Sequence, residues 1–286
     1  MASAALGPLV AYSRMIKLSH SIFSMPFALA AALIAWREVP FVWADLALIL
    51  GCLVTARSSA MGFNRIVDAR FDAMNPRTAV REIPSGQISV GAAWAFTLGS
   101  AAAFVLMSWL LSPLALALAP VALIVVWGYS LTKRFTALCH LVLGVALALA
   151  PTGVWIALTG TWGPVPALLS LAVLTWVSGF DIIYSCQDAA FDAENGLYSI
   201  PSRLGVRNAL VVSALLHVVT VACLVALPFV VALAWPWWIG AAAISGVLGY
   251  EHAIVGPGDM SRVDKAFFDL NGYVGLLFLA FVALSL

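Results

Sequence analysis

Apolar stretches of about 20 residues recur along the whole chain, each long enough to cross ~30 Å of hydrocarbon. They fall at 18–36, 41–63, 89–111, 114–131, 137–158, 166–186, 207–229, 236–255 and 266–286. Lone strands cannot satisfy their backbone in lipid, so each stretch is expected to be a helix. Only 9% of the residues are charged, and mean hydropathy is +1.04. That is too few charges to give 286 residues a polar shell in water. The expected fold is therefore an all-α integral membrane domain covering residues 1–286, with about nine transmembrane helices around a central cavity open near the cytoplasmic face.

The charges that do exist are unevenly placed. Arg14 and Lys17 precede the first span, and Arg65, Arg70, Arg77 and Arg81 follow the second. Lys133 and Arg134 follow the fourth, Arg203 and Arg207 the sixth, and Arg262 and Lys265 the eighth. Among the odd-numbered loops only Arg37 breaks the pattern. The bias puts the N-terminus and the even loops in the cytoplasm, with the C-terminus outside the cell's inner (plasma) membrane. The opposite loops are built from Pro, Gly and Trp, as suits the headgroup interface. The net charge of +1 gives no reason to expect a nucleic-acid partner, and no cleavable signal peptide is expected. Cys52, Cys139, Cys186 and Cys223 lack metal-ligand spacing and read as small buried apolar residues.

Five of the thirteen acids form two clusters. One contains Asn64, Asp68 and Asp72, and the other Asp181, Tyr184, Asp188 and Asp192. Residues four apart share a helix face, so the first three make one polar ladder. Steps of seven and eleven are nearly whole turns, so Asp181, Asp188 and Asp192 are expected to make a second. Carboxylates near hydrocarbon are costly, and like charges on one face repel. Magnesium relieves both by binding carboxylate, water and phosphate oxygens together. Two ladders facing one cavity would hold a magnesium–diphosphate group. The ladders also look like copies: residues 68–75 read DARFDAMN, residues 188–195 read DAAFDAEN, and each is followed by Ile-Pro-Ser. This suggests a parallel internal repeat, spans 1–4 and 5–8.

At these residues the chain resembles the UbiA-type intramembrane prenyltransferases. The N-x-x-x-D-x-x-x-D motif is matched by Asn64, Asp68 and Asp72, and its continuation by Arg77, Thr78, Arg81, Pro84, Ser85 and Gly86. The second motif is matched by Asp181, Tyr184, Asp188 and Asp192, and the Y-x-x-x-K-R loop by Tyr129, Lys133 and Arg134. A weaker F-F-x-x-N occurs as Phe267, Phe268 and Asn271. The wording around these motifs is most similar to a 4-hydroxybenzoate polyprenyltransferase-like branch linked to menaquinone synthesis through futalosine. One departure from the ubiquinone-type enzymes is Arg65, where those carry a second acid after the asparagine.

The resemblance implies transfer of a polyprenyl group from a polyprenyl diphosphate to an aromatic hydroxy acid in quinone biosynthesis, within membrane lipid. It implies Mg2+ as cofactor, held by Asn64, Asp68, Asp72, Asp188 and Asp192, with the four aspartates as the catalytic set. Lys133, Arg134, Arg77 and Tyr129 are expected on the diphosphate. Arg57 lies seven residues before Asn64 on the ladder's face, roughly 10 Å deeper. An arginine at that depth needs an anionic partner, either Asp181 or the acceptor's carboxylate. Asp181, Tyr184 and His20 complete the expected acceptor contacts; His140, His217 and His252 stand isolated. A transporter would favour midplane acids and broken helices. A CDP-alcohol phosphotransferase would need its D-G-x-x-A-R signature, which is missing. Homogentisate, haem and chlorophyllide remain alternative acceptors.

Overall fold

The structure is a computed structural model that describes residues 10–16 and 25–286. Among the described residues there are nine helices of eleven residues or more. These are α1 (Met25–Ala35), α2 (Trp43–Met74), α3 (Val90–Leu111), α4 (Pro113–Thr132), α5 (Cys139–Thr159), α6 (Pro164–Ser185), α7 (Ile200–Ala226), α8 (Pro236–Ile254) and α9 (Asn271–Ser285). Seven of them, α9 when taken with the π-helical turn Lys265–Leu270 that leads into it, are long and apolar enough to cross a membrane. The other two are α1, whose expected start at residue 18 lies outside the described residues, and α8, which carries Pro-Trp-Trp, Glu251 and His252. Large apolar side chains face outward, among them Ile124 (70% exposed), Val218 (64%) and Leu284 (68%). Such a surface suits lipid, not water.

One helix clearly outruns the span expected from hydropathy: α2 continues past residue 63 to Met74. In α7 a short first segment opens at Ile200, the backbone breaks at Gly205 (φ +76), and the long apolar part follows close to the expected residue 207. Backbone hydrogen bonding does not stop where polar side chains begin, so the acid ladder rides on the same helix as its span.

The chain forms two compact units. The first holds the described residues 10–16 and Leu46–Leu131. Here the Ser59 hydroxyl donates to the Thr97 carbonyl (3.0 Å) and accepts from Trp127 Nε1 (2.9 Å), tying α2 to α3 and α4. Phe63 stacks on Trp127 at 5.3 Å. Ser89 caps α3 by accepting from the Ala92 N–H.

The second unit holds 25–45 and Thr132–Leu286. Within it α5 packs on α6 and α1, α6 on α7, and α9 on α8 and α1. Gly144 lets α5 approach α6 closely: a Cβ there would strike Ser178 Oγ and the Leu174 carbonyl. Hydroxyls then bond across helices, Thr175 to Thr220 (2.8 Å) and Ser213 to the Gly179 carbonyl (2.7 Å). Phe27, Trp176 and Phe278 form the aromatic centre, with Phe27–Phe278 centroids 4.2 Å apart. A buried polar chain threads this core. Trp176 Nε1 donates to Asn271 Oδ1 (2.6 Å), and Asn271 Nδ2 donates to Glu251 Oε1 (3.0 Å). Glu251 Oε2 in turn lies 3.8 Å from His217 Nδ1, which is 2.9 Å from His252 Nε2.

Candidate active site

In the first unit, α2 carries the first acid ladder as its sequence spacing requires. Asn64 Nδ2 donates to Asp68 Oδ2 (2.9 Å) one turn on, and to Ser130 Oγ of α4 (3.3 Å). Asp72 is buried, and its Oδ1 accepts from Arg81 Nη1 at 2.6 Å. Its Oδ2 is buried without a hydrogen-bond partner. Arg81 reaches back because the chain turns after Met74: Asn75 Oδ1 accepts from the Arg77 N–H (3.0 Å), and the Thr78 hydroxyl donates to the Asp72 carbonyl (3.1 Å). Arg77 itself is exposed. Tyr129, on α4, sits within electrostatic reach of Asp68, Arg65 and Arg57. Arg65, which stands where the ubiquinone-type enzymes carry a second acid, is 3% exposed and lies near Asp72 and Arg81.

In the second unit the acids do not form the single straight ladder expected. α6 ends at Ser185, a 3₁₀ turn follows at Cys186–Asp188, and a short helix covers Ala189–Glu194. A 3₁₀ turn has about three residues per turn, so the 3.6-residue phasing from Asp181 to Asp188 and Asp192 is lost. Each acid finds its own surroundings instead. Asp192 is fully buried, with Oδ1 2.7 Å from Lys133 Nζ and Oδ2 without a hydrogen-bond partner. Asp188 is buried and interacts electrostatically with the same lysine. Burial opposes the Lys133 charge, but the Asp192 carboxylate more than offsets it and holds the ammonium above its ordinary value. The lysine's carbonyl accepts the Tyr198 N–H at 2.7 Å, which fixes the loop that presents it. Arg134, next to it, is exposed.

Asp181 pairs with His140, Nδ1 to Oδ2 at 2.7 Å. One oxygen of this carboxylate therefore already has a partner within its own unit. Tyr184 stands against Phe267, centroids 4.2 Å apart, beside Phe268 at 6.1 Å. A π-helical turn, Lys265–Leu270, presents both phenylalanines, and such turns interrupt the regular ladder to aim side chains. His20 lies outside the described residues. His140, expected to stand isolated, is instead paired; for it and for Glu251 the one signal in the sequence is a polar residue inside an apolar span.

The two copies of the D-A-x-F-D-A-x-N stretch share one backbone feature. Asn75 N–H donates to the Phe71 carbonyl, and Asn195 N–H to Phe191. They part at Ile-Pro-Ser: Ile200–Ser202 opens α7, where Ser199 and Ser202 form a capping box, whereas Ile83–Ser85 lies in turns before α3.

Each acid set fits a hard divalent cation. Asp72 and Asp192 each have one oxygen beside a cationic side chain and a second, buried oxygen with no hydrogen bond. A buried carboxylate oxygen left so is costly, and Mg2+ would satisfy it. Among the described residues no three His, Cys, Asp or Glu side chains converge, so water and phosphate oxygens would have to complete the coordination.

Residues 24–282 match the UbiA prenyltransferase family. A 4-hydroxybenzoate octaprenyltransferase of Alkalilimnicola ehrlichii is 30% identical, over 86% of this chain and 83% of that protein. One of Klebsiella pneumoniae is 26% identical, over 97% and 96%. The apo structure of a UbiA homologue from Aeropyrum pernix K1 superposes with a TM-score of 0.85 at 34% identity, over 93% of this chain and 97% of that one. A UbiA homologue from Archaeoglobus fulgidus bound to GPP and Mg2+ superposes with a TM-score of 0.77 at 16% identity, over 96% and 98%, a likeness of fold.

Proposed function

Since the chain belongs to the UbiA prenyltransferase family, we propose that it transfers a polyprenyl group from a polyprenyl diphosphate to the ring of an aromatic hydroxy acid. The observation that carries this reading is the pair of half-satisfied buried carboxylates, Asp72 beside Arg81 and Asp192 beside Lys133. Asn64, Asp68 and Asp72 would hold Mg2+ on one acid set, and Asp188 and Asp192 on the other. When bound there, the metal would supply positive charge that makes the diphosphate a better leaving group.

Lys133, Arg77, Arg134 and the Tyr129 hydroxyl bind diphosphate oxygens and take up charge as the allylic C–O bond breaks. The electron pair leaves with the diphosphate, a ring carbon activated by the acceptor's hydroxyl bonds to the allylic carbon, and the ring then loses a proton. The surrounding apolar helices keep water from the allylic cation. Arg57 binds the acceptor's carboxylate, with Asp181 and Tyr184 as further acceptor contacts. The site opens to the cytoplasmic side of the inner membrane, where the diphosphate is made.

4-Hydroxybenzoate is supported by the names of the relatives, and a dihydroxynaphthoate by the wording of the motifs. Purified protein given a radiolabelled prenyl diphosphate, Mg2+ and a panel of aromatic acids tests both. A prenylated hydroxybenzoate or naphthoate supports the reading, and product only with homogentisate, haem or chlorophyllide overturns the acceptor class.

A further inference from the structure

Two hydrogen bonds meet at one buried imidazole. His140, on the first turn of α5, is 2% exposed. Its Nε2 lies 3.3 Å from the Ile200 backbone nitrogen, which donates to it. With the Ile200 N–H directed at Nε2, the geometry assigns the ring proton to Nδ1, on the side of Asp181. Nδ1 therefore donates to Asp181 Oδ2 across 2.7 Å. The Ile200 N–H is one of the first-turn donors of α7, which have no acceptor within their own helix. The backbone beneath the ring is fixed too, since the Ser178 hydroxyl donates to the His140 carbonyl at 3.1 Å.

We propose that His140 is a positioning residue for the acceptor half of the site: it fixes the Asp181 carboxylate and ties it to the start of α7. The proposal rests on the reading of Asp181 as an acceptor contact. A carboxylate turns easily about its terminal torsion, but one oxygen held by a ring engaged at both nitrogens cannot. Oδ2 is committed to His140, and the Asp181 side chain is 23% exposed, so the proposal assigns its other oxygen to the acceptor. The role needs a donor at one end of the side chain and an acceptor at the other. Glutamine offers that pair, its amide NH2 for Asp181 and its oxygen for Ile200. Leucine has a similar bulk and offers neither.

His140→Gln and His140→Leu test this in the full-length protein. His140→Leu is expected to raise the acceptor KM by roughly tenfold or more, the scale for a lost bond to a charged group. The prenyl diphosphate KM should stay within about twofold, since uniform loss on one substrate need not touch the other. His140→Gln should recover acceptor KM to within about threefold of wild type, at equal thermal stability of both variants. Equal impairment of the two variants, or equal shifts in both KM values, would overturn the proposal. Nitrogen-15 histidine NMR gives a readout independent of turnover, with the His140 signals identified by their loss in His140→Gln. A neutral ring protonated at Nδ1 is expected; an Nε2–H tautomer or an imidazolium contradicts it. A wild type that prenylates nothing would end the functional reading, and the NMR result would still decide the His140–Asp181 bond.

Discussion

Lys133 Nζ lies 2.7 Å from Oδ1 of Asp192, whose side chain is wholly buried while the lysine's is 36% exposed. The lysine is the counter-charge of that carboxylate before any substrate arrives. Lys133→Met should destabilise the protein by about 1–2 kcal/mol, less than for a fully buried pair because the lysine end is partly solvated. The folded pKa of Lys133 is raised, so its contribution is complete below the unfolded value of 10.5 and fades only as pH climbs through the higher folded value. The melting difference between wild type and Lys133→Met should thus be constant from about pH 6 to 9. A difference that shrinks across that window contradicts the pairing.

The proposed contact between Arg57 and the acceptor's carboxylate can be tested by removing the guanidinium. Arg57→Ala is expected to raise the acceptor KM by roughly 30- to 1,000-fold, the scale of about 2–4 kcal/mol for a lost charged contact. The prenyl diphosphate KM should barely move, and phenols lacking a carboxylate should lose little more in the variant. Equal effects on both substrates would remove the carboxylate assignment. Lysine is an imperfect replacement because it lacks the planar fork.

Asn271 holds two buried partners at once, accepting from Trp176 and donating to Glu251. Asn271→Leu leaves both without it, at about 1–3 kcal/mol for each buried group stranded. Thermal melting in detergent should drop accordingly. A melting temperature equal to wild type would show that the chain of polar groups adds nothing to the fold.

Orientation is testable with single cysteines in a cysteine-free background. Exposed positions Pro76, Phe135 and Glu194 should be labelled from the cytoplasmic side, and Trp162 and Trp235 only from the other. The reverse pattern would invert the topology and put the diphosphate residues where their soluble substrate is not made.

Much of this was legible because local spacing governs it. Asn64 and Asp68 are one turn apart on an unbroken helix, and the contact between them follows from that spacing alone. The second acid set was legible as residues but not as geometry, because a 3₁₀ turn at Cys186–Asp188 breaks the helical phase. Nothing local signals that turn. The His140–Asp181 bond joins residues 41 apart, and the Asn271–Glu251 bond needs two helices to pack in one register. Such contacts arise from tertiary packing, which periodicity within a single span does not encode.

The central claim is that each acid set serves a magnesium-dependent diphosphate chemistry, and turnover under metal control tests it most directly. Purified wild type should transfer label from a prenyl diphosphate in Mg2+, lose all turnover in excess EDTA, and regain it when Mg2+ is restored. Asp68→Ala, Asp72→Ala, Asp188→Ala and Asp192→Ala should each stay folded and membrane-inserted yet fall by about a thousandfold or more in turnover. Undiminished turnover in excess chelator, or an active variant in either acid set, would contradict the account.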